Sequence, residues 1–214
     1  PFDEKTYANN TVSKIKLVGN YLYVADDAKH RIMKIDKKDG TILKEQKYCD
    51  ESYIQGYVSS IGYGDGKVYV GYDNGRVQAF DENTLESLWI TDENKNAINA
   101  DFVFTNGKLY FGTTAKTTDW YDNGAPFSYY VVTTSDDDKT NDKVTDTKDI
   151  GEAFSGNITY DEMTGTIYFV AGTNDLYGIK VSADGKLKDE KKVRLYETGY
   201  SATTPEVYNG KVYV

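Results

Sequence analysis

Apolar and polar residues alternate along this chain in short runs, and the runs recur in a fixed order. The clearest unit is a turn followed by an aliphatic-tyrosine-aliphatic strand. It reads Gly19-Asn20-Tyr21-Leu22-Tyr23-Val24, then Asp65-Gly66-Lys67-Val68-Tyr69-Val70 and Asn106-Gly107-Lys108-Leu109-Tyr110-Phe111. It returns as Thr164-Gly165-Thr166-Ile167-Tyr168-Phe169 and Asn209-Gly210-Lys211-Val212-Tyr213-Val214. The central tyrosines are 46, 41, 58 and 45 residues apart, a mean of 47.5. A self-similar period of about 40–50 residues is that of a four-stranded unit in a repeat array.

Each copy has the same internal grammar. A short strand ending in Leu17, Tyr63, Phe104, Tyr160 or Val207 precedes the tyrosine strand. Asp65-Gly66, Asn106-Gly107 and Asn209-Gly210 join the two, and such pairs accept the positive φ of a type I′ hairpin. The fourth copy carries two extra residues in a longer turn, Asp161-Glu162-Met163-Thr164-Gly165. A third strand follows as Arg31-Ile32-Met33-Lys34-Ile35, Arg76-Val77-Gln78-Ala79-Phe80 or Leu176-Tyr177-Gly178-Ile179. A fourth then comes as Thr41-Ile42-Leu43 or Leu85-Glu86-Ser87-Leu88-Trp89. No stretch holds a period of about 3.6 over three turns. The expected fold is therefore all-β, a β-propeller of four-stranded antiparallel blades whose faces are buried by stacking. First strands should line the axis, where small residues fit: Ser13, Ser60, Ala100, Gly156 and Thr203.

The repeats fall near residues 11–48, 58–92, 99–148, 155–196 and 201–214. That is four blades and part of a fifth within one propeller region spanning 1–214. The last copy stops after its second strand, so the expectation is a piece of a longer chain with an open sheet edge.

Composition narrows the function. The chain has 214 residues, 39% of them hydrophobic and 28% charged, as in a folded globular protein. No apolar run approaches the roughly 18 residues of a membrane helix. A net charge of −9 argues against nucleic acid and anionic lipid as partners. The single cysteine, Cys49, cannot form an internal disulfide, and the single histidine, His30, leaves histidine-pair mechanisms without material. Twenty tyrosines suit strands. The Lys-, Asn- and Tyr-rich bias points to a bacterial source.

Two stretches carry a resemblance: Gly66-Lys67-Val68-Tyr69-Val70-Gly71-Tyr72-Asp73-Asn74-Gly75-Arg76-Val77-Gln78-Ala79-Phe80-Asp81, running on to Leu88-Trp89, and Ser201-Ala202-Thr203-Thr204-Pro205-Glu206-Val207-Tyr208-Asn209-Gly210-Lys211-Val212-Tyr213-Val214. They resemble the quinoprotein-like (PQQ-like) propeller repeat, over nearly the whole chain. The resemblance implies a fold shared by quinone-carrying alcohol and glucose dehydrogenases and by non-catalytic propellers. The latter scaffold outer-membrane assembly or decorate Gram-positive surfaces. Enzymes of the family carry a tryptophan late in the fourth strand of most blades, a vicinal cysteine pair and a calcium site of Glu, Asn and Asp. Here Trp89 alone matches, Lys44 stands at the like place in the first copy, and Cys49 has no neighbour.

Candidate chemistry is sparse. His30 sits in a turn after acidic residues, and a solvated turn residue accounts for it. Residues 135–142 are acid-rich, yet counted from Asp136 an EF-hand would need Gly at Asn141 and Glu at Thr147. A solvated hairpin tip accounts for them, and a solvated edge strand for residues 186–192. The informative departure lies between Gly112 and Ser128, where the third copy inserts about a dozen residues that the second does without. The insertion carries Asp119, Trp120, Tyr121, Asp122 and Phe127. Aromatic faces flanked by acids suit a sugar or a protein partner, and a self-packed loop is the competing reading.

The expectation is a non-catalytic, cofactor-free module, secreted or on a bacterial surface, binding a protein or carbohydrate. The acidic charge favours a cationic or neutral partner. The alternative is a PQQ-dependent quinoprotein dehydrogenase. A glycosidase using Asp101, Asp119 or Asp122 would need two carboxylates about 5–9.5 Å apart.

Overall fold

The computed structural model describes residues 14–26, 29–48, 58–91, 97–98, 100–114, 128–134, 144–152, 156–172, 174–198 and 203–214. These hold nineteen strands in five antiparallel sheets. The first contains β1 (Lys14–Val18), β2 (Tyr21–Asp26), β3 (Arg31–Asp36) and β4 (Ile42–Lys47) in chain order. The second contains β5 (Val58–Gly64), β6 (Lys67–Tyr72), β7 (Val77–Asp81) and β8 (Ser87–Ile90). In the third, β9 (Ala97–Ile98) and β10 (Val103–Thr105) both pair with β11 (Lys108–Thr114), followed by β12 (Ser128–Thr133) and β13 (Val144–Asp149). The fourth is β14 (Thr159–Asp161), β15 (Thr166–Ala171), β16 (Asp175–Val181) and β17 (Leu187–Arg194). The fifth is the hairpin β18 (Glu206–Tyr208) and β19 (Lys211–Tyr213).

The repeat holds residue by residue. Tyr23, Tyr69, Tyr110, Tyr168 and Tyr213 are each the third residue of a second strand. Their partners across the first hairpin are Lys16, Gly62, Val103, Thr159 and Glu206. Asp65-Gly66, Asn106-Gly107 and Asn209-Gly210 all take positive φ, as the tight hairpin requires. The fourth hairpin absorbs its two extra residues in the turn, and its Tyr160 still pairs with Ile167.

Alternation gives the second strands apolar faces, and the first four sheets stack by burying such faces against each other. Tyr23, Ala25 and Ile32 meet Ile61, Val68, Val70 and Phe80 of the second sheet. Tyr69, Ala79 and Trp89 meet Phe102, Leu109, Phe111 and Val132 of the third. Tyr110, Tyr129 and Val131 meet Ile158, Ile167, Phe169 and Ile179 of the fourth. Each such side chain contributes about 1.5–3 kcal/mol before entropy is counted. The contact between the second and third sheets is especially close, because a Cβ at Gly64 would overlap the Phe104 ring.

Tyrosine hydroxyls add a polar latch. Tyr23 donates to the Glu82 carbonyl at 3.0 Å, in the turn between β7 and β8 of the next sheet. Tyr110 does the same to Gly185, between β16 and β17, at 3.0 Å. First strands are tied sideways too. Ser60 Oγ donates to the Ala100 carbonyl (2.6 Å), the Asp101 amide to Asn157 Oδ1 (3.2 Å), and Thr159 Oγ1 to the Pro205 carbonyl (2.5 Å). The first two bonds go with a break the periodicity does not predict. Ala100 and Asp101 turn their backbone groups toward neighbouring sheets, splitting the third first strand into β9 and β10. Ser60 and Ala100 are fully buried there, whereas Gly156 is half-buried and Thr203 exposed, so the expected crowding is met in the second and third sheets and not at Thr203. Ser13 lies outside the described residues.

Leu85, expected within a fourth strand, instead sits in the preceding turn at a φ of 59° with its side chain fully buried. It anchors the turn, and β8 starts two residues later.

Candidate functional site

Antiparallel order sends the connections β2–β3, β6–β7, β11–β12 and β15–β16 out of the same end of their sheets. Three are short, at residues 27–30, 73–76 and 172–174, and the fourth covers 115–127. Asp119, Trp120, Tyr121, Asp122 and Phe127 all belong to it and lie outside the described residues. So do Cys49 and residues 135–142. The bracketing Thr113 and Ser128 are described: Thr113 Oγ1 donates to the Ser128 carbonyl at 3.1 Å and accepts from its amide at 3.3 Å.

Register identifies equivalent residues at this end. Tyr23, Tyr69, Tyr110 and Tyr168 pair with Lys34, Ala79, Val131 and Gly178 of the third strands. Three residues earlier stand Arg31, Arg76, Ser128 and Asp175. Arg31 Nε donates to the buried Asp26 Oδ2 at 3.1 Å, and its Nη1 donates to Glu45. The Arg76 amide donates to Asn74 Oδ1 at 3.1 Å, and its Nη1 donates to the Thr91 carbonyl at 2.8 Å.

Asp175 centres the largest set. It is buried and takes an ion pair from Lys192 Nζ at 2.7 Å and from Arg194 Nε at 2.9 Å. Lys192 also reaches Glu152 Oε1 at 2.7 Å and lies over the Tyr177 ring, 5.1 Å from its centroid. Tyr177 OH donates to Glu152 Oε2 at 2.9 Å. Gly172 makes room, since a Cβ there would lie 2.9 Å from that same oxygen. The Asp175 and Glu152 carboxylates hold the Lys192 ammonium well above the usual lysine range. Burial first, and then Glu152, pushes the Tyr177 phenol up to about 12. Lys192 therefore stays cationic and the Tyr177 phenol neutral across the ordinary pH range.

All three arginines of the chain, Arg31, Arg76 and Arg194, stand at this end, where a planar fork can hold two strands at once. Sequence reasoning did not find the set of Glu152, Asp175, Tyr177, Lys192 and Arg194. Its one available signal was the β16–β17 hairpin register, which places Asp175 opposite Arg194 and Tyr177 opposite Lys192.

The other candidates stay apart. His30 occupies its turn at a φ of 48°, and its carbonyl accepts from the Tyr48 amide. Asp101 is held through its amide by Asn157. No group of three or more His, Cys, Asp and Glu that could hold a metal occurs among the described residues. At the fourth-strand position of Trp89, the other sheets carry Lys44, Asp146 and Lys191.

No protein-family model matches the sequence, and no curated protein matches it. Solved structures do. BamB from Moraxella catarrhalis matches with a TM-score of 0.60 at 11% identity, over 91% of this chain and 51% of that one. The WD40 domain of Toxoplasma gondii coronin gives 0.64 at 10%, over 87% and 46%. Quinohemoprotein alcohol dehydrogenase from Comamonas testosteroni gives 0.60 at 14%, over 87% and 36%. The chain spans about half of the first two and about a third of the last. Identities this low carry the fold alone. With the stacked four-stranded sheets, they establish an all-β, propeller-type chain built from antiparallel blades.

Proposed function

We propose that the chain is a non-catalytic propeller module that grips a protein or glycan at the end carrying the 115–127 connection, on a bacterial surface or secreted. The observation that carries this is the contrast in connections at that end. Three are short and pinned by Arg31, Arg76 or the Asp175 ion pairs, while one inserts Asp119, Trp120, Tyr121, Asp122 and Phe127. A pinned rim bearing one long aromatic segment suits recognition, because aromatic side chains offer large contact area with few rotamers to freeze. The described carboxylates of the rim support the same reading. Three of them, Asp26, Glu152 and Asp175, are ion-paired with arginine or lysine.

The likeness to a quinohemoprotein dehydrogenase raises a second reading, a quinone-dependent oxidoreductase. The residues do not fit the group: Cys49 is the only cysteine of the chain, and the buried rim acids Asp26 and Asp175 are already ion-paired.

The test is Trp120→Ala beside the parent, on an array of bacterial cell-wall glycans and purified surface proteins, with melting curves in parallel. Lost binding at unchanged melting supports the proposal. Binding kept with lowered melting supports a self-packed loop. Dye reduction on adding pyrroloquinoline quinone would favour the second reading.

A further inference from the structure

The partners of the five tyrosines across the first hairpins fix which first-strand residues are equivalent. Two residues before those partners stand Lys14, Ser60, Asp101, Asn157 and Thr204. All five are polar, whereas the next position holds Ile15, Ile61, Phe102, Ile158 and Pro205. The pairing of Lys14 with Ala25 places the polar position at the end of the sheet where the β2–β3 connection leaves. First strands adjoin one another sideways, so these residues follow the inner side of the rim.

Ser60 is spent on the fold, fully buried with its hydroxyl on the Ala100 carbonyl. Asp101 and Asn157 are only half-buried. They belong to neighbouring sheets and are joined by the bond from the Asp101 amide to Asn157 Oδ1 at 3.2 Å. Among the described residues, no other hydrogen bond or ion pair engages either of them. The Asp101 carboxylate and the Asn157 side-chain NH2 are therefore an acceptor and a two-hydrogen donor on adjoining residues, with their capacity unspent. Asp26, Glu152 and Asp175, by contrast, are ion-paired.

The chemistry of the pair selects its ligand. A metal ion has no use for an amide donor. An anion would meet the Asp101 carboxylate on a chain whose net charge is already −9. An ammonium or guanidinium group of a protein would engage Asp101 and leave the Asn157 donor idle. Adjacent hydroxyls of a neutral sugar use both groups, because each hydroxyl can donate and accept. One donates to the carboxylate, and its neighbour accepts from the carboxamide.

We propose that Asp101 and Asn157 form a subsite for two adjacent hydroxyls of a neutral saccharide. The subsite rests on the reading of the chain as a binding module, narrows its partner to a glycan, and does not draw on Trp120. Titration calorimetry tests it with neutral oligosaccharides of glucose, galactose, mannose and N-acetylglucosamine. The proteins are the parent, Asp101→Asn, Asn157→Asp and Trp120→Ala, each with a melting curve. Asp101→Asn keeps the side-chain shape and the backbone amide bonded to Asn157. Asn157→Asp keeps an oxygen for that amide and removes the donor. The parent is expected to bind at least one of the sugars, and each of these two variants to bind it at least about tenfold more weakly at unchanged melting. Binding that survives either substitution, or that falls only together with melting, overturns the subsite. Sugar binding lost in Trp120→Ala but kept in Asp101→Asn overturns it and leaves the binding-module reading standing. So does a parent that binds a surface protein and none of the sugars. A parent that binds neither overturns both.

Discussion

Tyr23 and Tyr110 combine two roles in one side chain, a ring buried between sheets and a hydroxyl bonded to a turn carbonyl of the next sheet. Removing the hydroxyl takes a donor from each carbonyl, although the Glu82 carbonyl keeps Lys34 Nζ at 3.0 Å. Tyr23→Phe and Tyr110→Phe are each expected to cost about 1 kcal/mol in urea unfolding. Tyr213→Phe, at a half-exposed site, is expected to change stability by less than about 0.5 kcal/mol. Burial, with Glu82 adding to it, pushes the Tyr23 phenol up to about 12, and the Glu82 hydrogen bond and burial do the same for Tyr63. A phenol whose folded pKa is raised holds its proton more tightly when folded. The stability it contributes is whole below about pH 10 and is lost as pH rises through about 12. An alkaline titration followed by tyrosinate absorbance and circular dichroism is expected to show these phenols ionising together with loss of strand signal. Ionisation near pH 10 of every tyrosine, with the sheets intact, would refute the assignment.

Among the elements, hairpins and close approaches decide the packing. At Gly64 the clash from an added methyl comes from the Phe104 ring of the adjoining sheet, so Gly64→Ala is expected to cost about 1–3 kcal/mol. Pairing it with Phe104→Leu is expected to recover part of that, read from the double-mutant cycle. At the pinned rim, Lys192→Met removes one of two cations from the buried Asp175 and is expected to cost about 1–3 kcal/mol. Lys191→Met, on an exposed position of the same strand, is expected to stay within about 0.5 kcal/mol. These two cases also mark how far the sequence could be read. Second strands and their hairpins were legible because a period-two pattern and an Asn-Gly or Asp-Gly turn determine register locally. The β9–β10 break was not, because it depends on Ser60 and Asn157, dozens of residues away. The Glu152 and Lys192 pair, forty residues apart, was hidden for the same reason. The long 115–127 connection was legible by its length against its equivalents, and its five proposed binding residues rest on that and on their chemistry.

For the whole molecule, stability follows from one repeated contact, and the proposed recognition from the connections that contact leaves free. Sheets stack through a tyrosine-bearing face and an aliphatic face, turns between third and fourth strands receive the Tyr23 and Tyr110 hydroxyls, and the opposite end carries the arginines. The connections at that end are therefore free to vary in length while the stack stays constant, which is how a repeat fold acquires a specific site. The central claim is that the five copies are equivalent units, each in its own sheet. An experimental structure of the chain tests it most directly. The expected result is Tyr23, Tyr69, Tyr110, Tyr168 and Tyr213 at the third position of second strands in five successive sheets, with the Tyr23 and Tyr110 hydroxyls on the Glu82 and Gly185 carbonyls. Tyr69 and Tyr110 found in one sheet, or either of them in a helix, would contradict it.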